Sequence, residues 1–168
     1  MRNAIIYILL LLPVCFCGIS NKYIVTETYD QFDKVRTFTL HNNYLAAKTT
    51  EIALTNLIDL KVSKIVKPDT TLLILTVAQQ GDNRFRISAD TSLVMLIDGK
   101  RYGFDLLWAR HGNVERGYYG ISPELFYSLA HATNVAVKIV GRDYNLERAI
   151  HPTVLARYRR FYDEIIAQ

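Results

Sequence analysis

The chain has 168 residues, 50% of them hydrophobic, 21% charged and 11% aromatic. That length and composition fit one ordinary globular domain and exclude the disordered, collagenous and repeat-built classes. Lys+Arg 20 against Asp+Glu 16 give a net charge of +4, too small an excess to mark a nucleic-acid binder. Both cysteines, Cys15 and Cys17, stand near the N-terminus, which excludes a disulfide-stapled scaffold and a cysteine zinc site in the remainder.

The N-terminus reads as an address. Arg2 supplies a short positive region, Ala4 to Leu12 (AIIYILLLL) is an unbroken apolar run, and Pro13 interrupts it before Cys17-Gly18-Ile19-Ser20 and the polar Asn21-Lys22. This is the layout of a secretory signal peptide over residues 1–20, with cleavage after Ser20 placing Gly18 and Ser20 at the small-residue sites. The apolar stretch through Ile19 barely reaches across a ~30 Å hydrocarbon core and contains Pro13, so a retained anchor is the second choice. A bacterial lipoprotein is a further alternative, with Cys15 or Cys17 as the acylated residue. Leu12 lies three before Cys15 and Gly18 follows Cys17, although Val14 or Phe16 stands where a small residue is preferred. The expectation is export to the periplasm or cell envelope, with the membrane touched only through this segment. Residues 21–168 are expected to form a single cysteine-free domain, and about 150 residues suffice for a self-supporting core.

Along that domain, Tyr23–Thr28 and Lys34–Thr39 are rich in β-branched and aromatic residues and read as strands. His41-Asn42-Asn43 is a loop. Tyr44–Asn56 is open between a helical turn and extended chain. Ile58, Leu60 and Val62 alternate with Asp59, Lys61 and Ser63, the period of a half-buried strand. Lys67-Pro68-Asp69-Thr70 turns, Thr71–Val77 returns as a more deeply buried strand, and Gln80–Asn83 turns again. Arg84–Ile87 is a short alternating strand. Leu93–Ile97 is apolar on both faces and should be central. Asp98-Gly99 is a two-residue type I′ signal, so Lys100–Phe104 should be its hairpin partner. Leu106–Val114 carries Trp108 and a Gly112-Asn113 turn, and Glu115–Tyr119 leads back into order.

Ser122-Pro123-Glu124 opens a helix with an N-cap hydroxyl, a proline at the first position and a carboxylate against the dipole. Val135–Val140 is a strand, Gly141-Arg142-Asp143 turns, and Tyr144–Ile150 pairs back. Pro152 opens the last helix, where Val154, Leu155, Tyr158, Phe161, Tyr162, Ile165 and Ile166 recur at the 3.6 period. The expected class is α+β: a mainly antiparallel sheet of hairpins, one short helix, and an amphipathic C-terminal helix packed on one face.

Leu93-Val-Met-Leu-Ile97-Asp98-Gly99-Lys100, Tyr118-Tyr119-Gly120-Ile121-Ser122-Pro123-Glu124 and Phe161-Tyr162-Asp163 form a pattern. It resembles an uncharacterised family of small bacterial secreted and lipoprotein domains with an L-x-x-x-I-D-G-K hairpin and a Y-Y-x-I-S-P-E helix start. The resemblance covers roughly Tyr23 to Ile166. It implies an exported location and an antiparallel sheet with a C-terminal helix, and it carries over no catalytic residues.

Little in the sequence points to chemistry. His41, His111, His131 and His151 stand far apart, and no metal-ligand spacing, nucleophile elbow, P-loop or dinucleotide fingerprint occurs. No set of residues fills the nucleophile, base and oxyanion roles together, so the balance is against an enzyme, and no cofactor or metal is expected. Binding has more support. Arg84, Arg86, Lys100, Arg101, Arg110 and Arg116 interleave with Phe85, Tyr102, Trp108, Tyr118 and Tyr119. Displayed on adjacent strands, such residues grip an anionic polymer. The competing reading makes the aromatics core and the basic residues the solvated outer face of the same strands.

The expected binding set is therefore Arg84, Arg86, Arg101, Trp108, Arg110, His111, Tyr118 and Tyr119. The expected partner is an envelope protein or polymer, not nucleic acid, which export puts out of reach. The alternative is a small-ligand protein or hydrolase centred on His111, which requires a cavity where His111 and a carboxylate converge. Self-association through a sheet edge is a third, purely structural reading.

Overall fold

The computed structural model describes residues 22–45, 57–80, 85–88 and 91–168. The proposed signal segment with Cys15 and Cys17, most of Tyr44–Asn56, and Arg84 lie outside the described residues.

The chain runs β1 (Ile24–Asp30), β2 (Val35–His41), β3 (Leu57–Lys67), β4 (Thr70–Gln80), β5 (Leu93–Ile97), β6 (Lys100–Phe104), β7 (Leu106–Arg110) and β8 (Val114–Gly120). Helix α1 (Pro123–His131), β9 (Val135–Val140), β10 (Asn145–Ala149) and helix α2 (Pro152–Phe161) complete it, with a closing π-helical turn over Tyr162–Ile166. The class is α+β, as the alternating strands and late helices predict. Every strand pairing is antiparallel.

The strands divide between two sheets rather than forming one. One sheet has the order β1-β2-β3-β4-β8-β7, the other β10-β9-β5-β6. The reason lies in two strands without a polar face. In β4, Leu73 through Val77 are all buried, and in β5 only Leu96 of five residues is exposed. A strand buried on both faces needs a neighbour on each side and cover above and below. Each takes an interior place, β4 between β3 and β8 and β5 between β9 and β6. One continuous cluster of buried side chains draws on both sheets and both helices.

Local chemistry fixes the connections. Asp98 and Gly99 take φ of 46° and 83°, the two left-handed residues that a type I′ hairpin requires. The Asp98 carboxylate also accepts the Thr133 and Asn134 amides at 3.0 and 2.8 Å, tying this hairpin to the start of β9. Ser122 Oγ accepts the Leu125 amide at 3.2 Å, capping α1. His151 Nδ1 accepts the Thr153 amide at 3.3 Å, so this histidine is a cap for α2. Tyr44 bridges Asp59, and the Leu45 amide reaches the Ile58 carbonyl at 2.9 Å. The first residues of the open stretch are thus extended.

Helix α2 lays its apolar stripe on α1 and on the larger sheet. Phe126 of α1 meets Tyr158 and Phe161 with ring centroids 5.7 and 6.4 Å apart, and the Tyr158 hydroxyl donates to the Leu60 carbonyl at 2.7 Å. Burial holds that phenol well above its ordinary pKa. Beside it Arg157 is only 6% exposed. None of its three guanidinium nitrogens has a hydrogen-bond partner among the described residues, and burial lowers its pKa. A buried cation without partners works against the fold. Arg157→Met keeps the stem and removes the charge. It should stabilise residues 21–168 by about 1–3 kcal/mol, read as a rise of several degrees in Tm. A lower Tm would show that the guanidinium holds the helix in place.

Candidate functional site

Strand β8 alternates sharply between its two faces. Glu115, Gly117 and Tyr119 are buried, while Val114, Arg116 and Tyr118 are half-buried. Tyr119 is fully buried, its hydroxyl 2.9 Å from Ser92 Oγ and its pKa pushed up to about 12, mainly by burial. It belongs to the core and not to a contact surface. The sequence placed it beside Tyr118 in the binding set, but adjacent strand residues point to opposite faces.

The outer face of β8 is shared with β7. Tyr118 lies opposite Trp108, and the rings stack with centroids 4.6 Å apart at 15°. Strict alternation along β7 would send Trp108 inward with Leu106, as the core reading expects. A register shift between Leu106 and Trp108 prevents this. Leu106 faces Tyr119, Leu107 is the extra residue, and Trp108 arrives on the outer face, 49% exposed. Bulges re-aim side chains in this manner. Two pairs further along, and so on the same face, Arg110 lies directly opposite Arg116. Like charges in that position repel, and among the described residues neither has an acidic partner.

The inner face of β8 builds a second feature around Glu115, whose side chain is 2% exposed. Its Oε1 accepts the Ile87 amide at 2.9 Å and His111 Nδ1 at 2.6 Å, and its Oε2 accepts Arg86 Nη1 at 3.2 Å. Since the carboxylate accepts, Nδ1 carries the proton and Nε2 is turned away from Glu115. The Phe85–Ser88 segment is itself pinned to the turn after β9. Ile87 bridges Gly141, the Ser88 amide reaches the Val140 carbonyl at 3.1 Å, and the Arg142 amide reaches the Arg86 carbonyl at 2.8 Å. Gly141 has no side chain because a Cβ would come within 2.4 Å of the Phe85 ring. Arg86, Ile87, Ser88, His111 and Arg142 line a cleft of about 420 Å³.

The predicted residues therefore separate. Trp108, Tyr118 and Arg110 share one outer face, joined by Arg116. Arg86 and His111 meet at the cleft, joined by Arg142 and Ser88. Arg101 is exposed on β6 of the other sheet, opposite Leu96, and Arg84 lies outside the described residues. Sequence reasoning missed Glu115. The available signal was an acid sharing the inward phase of Tyr119.

The other histidines are occupied structurally. His41 Nε2 is 2.8 Å from Thr26 Oγ1, and burial lowers its pKa. His131 Nδ1 donates to the Tyr127 carbonyl at 3.0 Å, with its ring stacked on Tyr127. Among the described residues no hydroxyl is hydrogen-bonded to His111, and no three His, Cys, Asp or Glu side chains group as a metal site. No helix among them is long and apolar enough to cross a membrane. No family model, curated protein or solved structure matches the chain.

Glu115 links three separate pieces of chain, so its loss should be felt as stability. Glu115→Ala leaves a buried amide and a guanidinium unpaired and should cost about 3 kcal/mol in urea denaturation. His111→Ala, on a side chain 54% exposed, should cost less than about 1 kcal/mol. Equal losses would mean that His111, not Glu115, organises the cluster.

Proposed function

We propose that this chain is an exported, non-enzymatic binding module of the cell envelope, whose partner is another envelope component, a protein or a surface polymer. Export is supported by the signal-type N-terminus, Arg2 through Ser20, and by the resemblance to small secreted and lipoprotein domains. The observation that carries the binding reading is the outer face of β7 and β8. There the Trp108–Tyr118 stack is half in solvent beside two opposed arginines that have no acidic partner among the described residues.

Such a face stabilises the isolated fold poorly. The two guanidiniums repel, and the indole leaves half its surface in water. Tryptophan, tyrosine and arginine are also the residues that dominate binding energy at interfaces, because they combine a large apolar area with a polar edge. An acidic partner laid across Arg110 and Arg116 would convert their repulsion into paired attraction. Strand β7 is a sheet edge, so its free backbone groups are also open to a partner strand.

The test is crosslinking in the native envelope with a photoreactive residue in place of Trp108, together with the Trp108→Ala and Arg110→Ala/Arg116→Ala variants. Each variant should weaken partner capture by more than about tenfold. Trp108→Ala should lower stability by no more than about 1 kcal/mol, the worth of one ring stack. Capture unchanged in both variants would remove this face from the function. Intact mass of the native protein reads the address at the same time: a chain starting near Asn21, or an acylated Cys15 or Cys17, is expected. A full-length chain would instead mean that the apolar segment is kept.

A further inference from the structure

We infer that the cleft between Ser88, His111 and Arg142 is a separate binding site for a phosphate group, distinct from the outer face of β7 and β8. The charge on its rim is the first reason. Glu115 lies beneath the cleft with both carboxylate oxygens already engaged, Oε1 by the Ile87 amide and His111 and Oε2 by Arg86. It offers nothing to a cation. What lines the roughly 420 Å³ space includes two cationic side chains, Arg86 and Arg142, the Ser88 hydroxyl and the His111 ring, whose Nε2 is an acceptor when Nδ1 carries the proton. Arg142 has one acidic neighbour, Asp143, at 3.9 Å, and both side chains are more than half exposed. That loose pair is easily outcompeted by a ligand.

The second reason is preorganisation. The imidazole is held by a 2.6 Å bond to a buried carboxylate, which fixes its ring. Arg86 is held by the same carboxylate, and the Arg86 and Arg142 backbones are hydrogen-bonded to each other at 2.8 Å. The backbones of the two residues are thus held opposite each other before any ligand arrives. A ligand meeting them loses less ordering entropy than it would with free side chains.

The donor set favours phosphate over carboxylate. A carboxylate is satisfied by one guanidinium fork, whereas a phosphate monoester presents three oxygens and about two charges. Two guanidinium groups and a hydroxyl match the larger acceptor set. The cleft also exceeds what the phosphate group alone needs, leaving room for a small organic remainder. The expected source is a free small phosphomonoester, because a phosphodiester in an envelope polymer presents only two free oxygens and one charge.

The experiment is isothermal titration of residues 21–168 with inorganic phosphate, glycerol 3-phosphate and poly(glycerol phosphate), each against chloride at matched ionic strength. Binding above the chloride background is expected, and Arg142→Ala should weaken it by about tenfold or more. Arg142 is exposed, so that variant should fold with unchanged Tm, confirmed by a thermal melt. The monoester should bind better than the polymer, whose phosphodiesters offer fewer acceptors; the reverse would overturn the choice of ligand. Trp108→Ala should leave phosphate binding intact, which separates this site from the face assigned to the partner. No binding above chloride, equal binding by Arg142→Ala, or loss of binding in Trp108→Ala would each overturn the assignment.

Discussion

The two-residue period of β8 is the constraint on which the rest of the molecule depends. Every second residue from Glu115 to Tyr119 is committed to the interior, and every intervening one to the outer surface. Pairing with β4 on one side fixes that phase, because Leu75 and Val77 lie opposite Tyr119 and Gly117 and are themselves fully buried. A slip of one residue would expose Tyr119 and bury Arg116 without a partner. Hydrophobic burial therefore specifies the register, and the register determines which charged groups face water. Gly117 belongs to the same arrangement. A Cβ there would lie 2.6 Å from the Tyr119 hydroxyl and 2.8 Å from Ile87 Cδ1, so the close packing that carries the Ile87 segment onto β8 needs a residue without a side chain.

Around that strand the charged groups fall into three physical situations. Glu115 and Arg86 form a pair whose buried member is fully hydrogen-bonded, so the desolvation of the carboxylate is offset by three donors. Arg110 and Arg116 are hydrated, and their mutual repulsion is softened by water and salt. Arg157 is buried with no hydrogen-bond partner among the described residues, and the charge of Asp59, beyond ion-pair distance, only partly offsets its desolvation. The first situation organises a cluster, the second leaves binding capacity unused, and the third costs stability. Only the first two lie on the β7–β8 hairpin. These charged groups are thereby kept apart from the α1–α2 packing, where Phe126, Tyr158 and Phe161 hold the helices together.

What could be read in the sequence was chiefly local. Asp98-Gly99 demands positive φ twice in succession, and only a tight hairpin supplies that. Ser122-Pro123-Glu124 satisfies the first turn of α1 by itself. The alternation of Ile58, Leu60 and Val62 marks the inward face of β3 without reference to any neighbour. The division into two sheets was not local: it follows from where β4 and β5, each buried on both faces, find flanking strands, and sequence periodicity carries no record of partners. Trp108 was misplaced by the core reading for a related reason. A single extra residue at Leu107 reverses the phase of β7, and nothing in Leu-Leu-Trp-Ala-Arg announces a bulge. Glu115 was overlooked because two of the groups that justify its burial, Arg86 and Ile87, come from a segment nearly thirty residues away, and only His111 lies in its own hairpin.

The same reasoning explains why both candidate sites adjoin one hairpin at the border of the larger sheet, the cleft drawing Arg86, Ser88 and Arg142 from neighbouring segments. An interior strand such as β4 has no free face and no free edge, so any polar group on it must be satisfied internally. Among the described residues strand β7 has a neighbour on one side only, and its partner β8 still borders the core through Glu115 and Tyr119. The hairpin can therefore anchor a buried carboxylate on its inner side while presenting aromatics and arginines on its outer side, without either arrangement disturbing the other. His111, in the turn that joins the two strands, is positioned by the inner carboxylate and open to solvent. A ligand there engages groups fixed by the core, whereas a partner on the outer face engages groups fixed only by the strand register. The first surface is suited to a small rigid anion, and the second to an extended partner that adapts to it.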